Sequence, residues 1–81
     1  MPYLLVRDTD SGSLVDGLPY KEVRVVAVKT GAEAEMRDEK NRTVEFSTDP
    51  GSLLNALETM GYRVVTSSNF GPSDFIWTLK R

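Results

Sequence analysis

Apolar and polar positions in the last third of the chain predict a helix and, after it, two strands. Apolar side chains recur with helical spacing from Leu53 to Met60, which places one apolar stripe on a helix. Asp49 suits the N-cap, and Pro50 suits the first helical position because its missing N–H is not needed there. Gly61 suits the next position because glycine adopts the left-handed conformation without steric cost. We therefore predict a helix that begins at Pro50 and ends at Met60.

Two alternating segments follow this predicted helix. Residues 62–66 and 75–79 alternate apolar with polar side chains, as half-buried strands do. Residues 69–74 are dense in turn formers and should fold the two strands back antiparallel. The helix side chains that we expect to be buried against the sheet are Leu53, Leu54 and Leu57. The sheet residues expected opposite them are Tyr3, Leu5, Val64 and Trp77 or their neighbours.

The first half of the chain carries further strand patterns. Residues 3–6 form a short apolar run, and residues 8–12 form a loop rich in turn residues. Residues 33–37 and 43–47 both alternate, and the polar residues between them have the composition of a hairpin loop.

Residues 21–29 give the strongest strand pattern in this half. Val23, Val25 and Ala27 alternate with side chains that are themselves partly apolar, so both faces of the predicted strand are apolar. Such a strand is either central in a sheet, or it presents Val26 and Val28 to another subunit. Together these patterns predict about six strands and one clear helix. The expected fold is therefore a single α+β domain over residues 1–81, with the helix packed on one face of a mainly antiparallel sheet.

Composition excludes several classes of function. The 81 residues include no cysteine and no histidine, so disulfides and thiolate or imidazole metal sites are ruled out. A net charge of -2 and scattered basic residues argue against nucleic-acid binding. No apolar run of about 18 residues is present, so we expect a soluble, intracellular protein without membrane segments. A chain this short has a thin core, which favours oligomerisation.

Catalytic chemistry is not expected. The commonest general base is missing with histidine, and the carboxylate pair Asp8 and Asp10 lies in a polar segment that would not shift its pKa by burial. The same pair matches the first two ligands of a calcium-binding EF-hand loop. That template fails because its third ligand position is Gly12 and its twelfth is Pro19. No phosphate-binding loop or dinucleotide fingerprint is present, and we expect no cofactor.

Five segments together resemble a known protein family. They are Met1-Pro2-Tyr3-Leu4-Leu5, Asp49-Pro50 before the leucine-rich helix, Gly61-Tyr62-Arg63-Val64-Val65, the loop that contains Gly71, and Ile76-Trp77. In order and spacing they resemble the GTP cyclohydrolase I feedback regulatory protein family. That family has a glycine-glutamine-threonine segment where this chain has Gly71-Pro72-Ser73-Asp74.

The resemblance implies a regulator without chemistry of its own. Proteins of that family form a ring of identical subunits, expected to be a pentamer, that docks on GTP cyclohydrolase I in the cytoplasm or nucleus. They mediate stimulation by phenylalanine and feedback inhibition by tetrahydrobiopterin. Two alternatives from the residues remain open: a free-standing sensor of a small ligand, and a structural assembly subunit without a ligand.

We expect the partner and effector contacts in two loops, because loops carry binding more often than the elements that they join. Phe70 is an aromatic residue among turn formers, where core packing alone does not require one. Asp74 stands near the family's glutamine and brings a negative charge that suits the ammonium group of an amino acid. Trp77 is expected to support the loop from the core. The complete set of predicted binding residues is Asp8, Asp10, Phe70, Gly71, Pro72, Ser73, Asp74 and Trp77.

Overall fold

The computed structural model describes residues 3–69 and 75–81. Its elements in chain order are β1 (Tyr3–Thr9), β2 (Gly12–Asp16), α1 (Tyr20–Thr30), β3 (Ala34–Asp38), β4 (Thr43–Phe46), α2 (Pro50–Thr59), β5 (Arg63–Asn69) and β6 (Phe75–Lys80). The strands form one antiparallel sheet in the order β3-β4-β2-β1-β6-β5. The predicted α+β class and the predicted number of strands are confirmed.

Helix α2 follows its sequence signals closely. The Asp49 carboxylate accepts a hydrogen bond of 2.9 Å from the backbone N–H of Ser52, and Pro50 occupies the first turn. The helix ends at Thr59, one residue earlier than predicted, and Gly61 follows with a φ of 98°. Leu53 and Leu57 are fully buried, as predicted, whereas Leu54 is only partly buried.

The prediction of a strand over residues 21–29 is wrong, because this segment is helix α1. Val23, Val26, Ala27 and Thr30 recur at helical spacing on its inner side, and Val26 is fully buried. Gly31 ends the helix in the left-handed conformation, with a φ of 72°. Valine has only a weak preference for strands, and packing on the core overrides it.

This correction also removes the subunit contact that the strand pattern suggested. Side chains two positions apart on a helix point in nearly opposite directions, because successive residues are rotated by about 100° around the helix axis. Val26 is accordingly fully buried, whereas Val28 is 75% exposed. The two side chains cannot form one face.

The core lies between the helices and one face of the sheet. The alternation of β1 sends Leu4 and Val6 into it, so the buried positions of β1 are the neighbours of Tyr3 and Leu5 rather than Tyr3 and Leu5 themselves. Tyr3 and Leu5 instead lie on the outer face of the sheet, where they are 44% and 40% exposed. The remaining sheet and loop residues buried in this core are Val15, Leu18, Val44, Phe46, Tyr62 and Leu79.

Arg81 connects β6 to α1. The Arg81 guanidinium lies 4.3 Å from the ring centre of Tyr62 and 2.9 Å from the Glu22 carboxylate. The Tyr62 hydroxyl donates a 3.0 Å hydrogen bond to Glu22. Burial acts to raise the pKa of Glu22, but the hydrogen bonds from Arg81 and Tyr62 outweigh it and lower that pKa.

Candidate functional site

The register of the sheet places the two predicted binding loops at the same end. β1 runs antiparallel to β6 with Arg7 opposite Ile76, and β5 ends with Asn69 opposite Phe75. The turn between β1 and β2 therefore lies beside the last residue of β5 and the first residue of β6. We call this region, formed by the β1–β2 turn, the end of β5 and the start of β6, the turn end of the sheet.

The predicted site residues are placed as follows. Asp8 lies in β1 opposite Ser13 of β2, and Asp10 lies in the β1–β2 turn; both are exposed at the turn end. Trp77 lies in β6 opposite Val6 and is partly buried against the core. The predicted loop residues Phe70, Gly71, Pro72, Ser73 and Asp74 lie outside the described residues.

A hydrogen-bonded clamp fixes the β1–β2 turn to its neighbouring strands. The Glu45 carboxylate of β4 accepts hydrogen bonds from the hydroxyls of Ser11 (2.5 Å) and Thr9 (3.4 Å). It also accepts from the Arg37 guanidinium of β3. The hydrogen bond from Ser11, together with that from Arg37, holds the pKa of Glu45 below its ordinary value. This clamp orients the turn that carries Asp10.

Sequence reasoning missed Glu45 and Arg37. Each was assigned to a strand, but the contact depends on how the strands pair. Glu45 and Ser11 are separated by 34 positions along the chain. Only the order of strands β3, β4, β2 and β1 in the sheet brings them together. Alternation predicts which face of the sheet a side chain occupies, but it does not predict which residue lies opposite on the neighbouring strand.

Acidification should loosen this clamp. Because the folded protein lowers the pKa of Glu45, ionised Glu45 stabilises the turn above the ordinary glutamate pKa of about 4.3. That stabilisation is lost as the pH falls through the lowered value. We expect the NMR amide signals of Ser11 and Thr9 to shift in this acidic range. A Glu45→Gln variant should not show this transition, and an identical transition in the variant would contradict the clamp.

A shallow cleft of about 350 Å³ lies beside the β1–β2 turn, towards the start of α2. Its lining includes the carboxylates of Asp8, Asp10 and Asp49. The Asp49 carboxylate is engaged in capping α2. Within residues 3–69 and 75–81, no three side chains of metal-binding type are placed to hold an ion. The carboxylates of Asp8 and Asp10 give this cleft side chains that can pair with a cation such as an ammonium group.

Partly exposed apolar side chains form the other part of the turn end. The rings of Phe75 and Trp77 stack with centroids 5.8 Å apart, and Phe75 is 39% exposed. The helices pack mainly over β1, β2 and β3, which leaves these side chains incompletely covered. Contiguous exposed apolar side chains of this kind mark interaction surfaces.

Neither helix in the described ranges is long and apolar enough to cross a bilayer. No curated protein matches the chain significantly. The model of the family described as GTP cyclohydrolase I feedback regulatory protein (GFRP) matches residues 3–81. This match includes the segment from α1 to β4, which the five resembling segments of the sequence did not cover. The chain therefore belongs to the GTP cyclohydrolase I feedback regulatory protein family.

Proposed function

We propose that this protein is a non-enzymatic regulatory subunit that binds GTP cyclohydrolase I. It mediates stimulation by phenylalanine and feedback inhibition by tetrahydrobiopterin. The observation that carries the proposal is the family match over residues 3–81. A protein of this kind acts through a coupling free energy. An effector that binds the complex more tightly than it binds the separate proteins also strengthens the association of those proteins.

The turn end of the sheet is the surface proposed for docking. It combines an ordered turn carrying Asp10 with the partly exposed ring of Phe75, and it leads directly into the predicted loop 70–74. Aromatic side chains at the centre of an interface contribute most to affinity. Carboxylates at the same end suit the ammonium group of an amino acid effector.

Co-elution with GTP cyclohydrolase I tests the proposal. The two proteins are mixed and separated by size exclusion, with and without phenylalanine and then with tetrahydrobiopterin. We expect a complex whose stability depends on either effector. Binding of phenylalanine without any complex would favour the free-standing sensor, and neither binding nor complex formation would favour the structural subunit.

Two loop variants test the docking surface. Phe70→Ala and Asp74→Ala should each weaken docking or the phenylalanine response by about tenfold, the loss typical of an interface hot spot. Tyr3→Ala and Glu39→Ala are matched controls, because Tyr3 and Glu39 are exposed and lie towards the opposite end of the sheet. Circular dichroism verifies folding. Unchanged docking and unchanged effector responses in both loop variants would remove the loop from the mechanism.

Self-association is part of the proposal, and strand β5 is the element proposed to carry it. β5 is an outermost strand of the sheet as described, and it is seven residues long. Its Val64 and Val65 are 40% and 43% exposed, and Arg63 is its only charged residue. Edge strands that remain single in solution are usually shorter or carry more charge. This strand therefore suits a contact between subunits.

Introducing a charge on β5 should reduce self-association. We expect Val65→Lys to shift the light-scattering mass at micromolar concentration towards the monomer, because a buried lysine would lack a partner. Val28→Lys is the control, since Val28 is exposed on α1, away from β5. A monomeric parent protein would contradict the proposal. If Val28→Lys alone dissociated the oligomer, the subunit contact would lie on α1 instead of β5.

A further inference from the structure

A cleft of about 550 Å³ lies between α1 and β3, apart from the turn end. Val23 and Ala27 of α1 line one side, and Met36 of β3 lines the other. These three side chains are partly buried against the core, so the floor of the cleft is apolar and supported from below. Tyr20 stands at its margin and is 77% exposed. An aromatic ring left this open beside an apolar cleft is typical of an interface anchor.

The cleft is positively charged, although the chain carries a net charge of -2. Lys21 and Arg24 are the only charged residues among the described residues that line it. The carboxylate nearest in sequence, Glu22, pairs with Arg81 at 2.9 Å on another side of α1. Glu35 of β3 faces the opposite side of the sheet, where it lies 3.2 Å from Arg37. The cations at the cleft therefore remain available to an acidic ligand.

Strand β3 also offers free backbone groups beside the cleft. The N–H of Glu33 donates to the Ser47 hydroxyl (2.9 Å), and the C=O of Glu33 accepts from the Ser47 N–H (3.0 Å). Glu33 thus directs both polar groups towards β4. Because backbone groups alternate along a strand, those of Ala34 and Met36 point to the unpaired edge. β3 is the last strand at that side of the sheet as described. The side chains of the same two residues line the cleft.

We propose that this cleft binds an acidic, extended segment of a partner protein. The segment adds a strand to the edge of β3 through Ala34 and Met36. It places apolar side chains on the cleft floor and carboxylates against Lys21 and Arg24. This proposal is independent of docking at the turn end.

Charge and shape distinguish this occupant from others. The β5 strand of a second copy matches poorly, because it carries Arg63 and no carboxylate. An anionic membrane surface would satisfy the two cations, but it offers no strand for the backbone groups of Ala34 and Met36. An acidic strand satisfies the cations, the apolar floor and the free edge together.

The probe is an end-blocked, fluorescein-labelled peptide, Thr-Glu-Thr-Leu-Thr-Leu-Thr-Glu-Thr. Its leucines and glutamates lie on one face of a strand, and threonine favours the extended conformation. The pattern reads the same in both directions, so parallel and antiparallel pairing are tested together. Two control peptides carry lysine or glutamine in place of both glutamates. Fluorescence anisotropy with the full chain should show about tenfold tighter binding of the glutamate peptide than of the lysine peptide, weakening as salt increases.

Charge reversal provides the decisive comparison. The double variant Lys21→Glu/Arg24→Glu should lose about tenfold in affinity for the glutamate peptide and should gain affinity for the lysine peptide. Lys29→Glu/Lys40→Glu has the same net charge, and its positions do not line the cleft. It should behave like the parent protein. Similarly, Tyr20→Ser should weaken binding, whereas Val28→Ser, which changes an equally exposed residue of α1, should not.

The outcomes separate this proposal from its competitors. Absence of glutamate-peptide binding up to about 1 mM, or equal binding of all three peptides, would overturn it. Binding to phosphatidylserine vesicles without peptide binding would identify a lipid surface instead. Loss of self-association in the Lys21/Arg24 variant would assign the cleft to a second copy. Loss of peptide binding with enzyme docking intact would show that the two surfaces act separately.

Discussion

Replacing Leu57 with alanine is expected to lower the free energy of unfolding by about 2–5 kcal/mol. Leu57 is fully buried on the inner face of α2, the helix that packs over β1 and β2. Alanine removes the contacts of the side chain and leaves a cavity that the surrounding core fills only partly. A chain of 81 residues has a total stability of about 4–12 kcal/mol, so this loss is a large share of it.

Leu54→Ala is the matched control. Leu54 lies on the same helix but is only partly buried, so its truncation should cost clearly less, about 1 kcal/mol. Both values are measured by urea unfolding, where a shifted midpoint with an unchanged slope reports stability alone. Equal losses at the two positions would contradict the way in which α2 packs on the sheet.

The accuracy of the sequence predictions depended on whether each signal was local. Helix α2 was predicted almost to the residue, because Asp49, Pro50 and Gly61 act on their immediate neighbours. Helix α1 was mistaken for a strand, because its closely spaced valines satisfy both the strand and the helix period. Its bounding residues, Pro19 and Gly31, were the signals that favoured a helix.

The candidate site was predictable only as separate pieces. The two loops were identified from turn composition, but their meeting at the turn end depends on β1 pairing with β6. The same holds for the clamp, since Glu45 contacts Ser11 only when β4 and β1 both flank β2. The cleft between α1 and β3 was missed because residues 21–29 were predicted to form a strand. Pairings of this kind are set by the packing of the whole chain rather than by its local pattern.

Replacing Gly12 with alanine is expected to cost about 3 kcal/mol and to displace the β1–β2 turn. Gly12 has a φ of 152°, a conformation that other residues rarely adopt, and such strain costs about 1–3 kcal/mol. A Cβ atom there would lie 2.1 Å from the carbonyl oxygen of Phe46. That contact is with backbone rather than with a flexible side chain, so the turn must move away from β4.

Gly31→Ala separates the clash from the strain. Gly31 also has a positive φ, 72°, but a Cβ atom there would meet nothing within 4 Å. It should therefore cost only the left-handed strain of about 1–2 kcal/mol. Thermal unfolding measures the difference, since each 1 kcal/mol lowers the Tm of such a chain by roughly 4–8 °C. In Gly12→Ala the Ser11 signal should also lose its response to Glu45 ionisation, whereas Gly31→Ala should keep it. Equal stability of the two variants would show that the turn can leave β4 without cost, and the turn end would then not be a preformed surface.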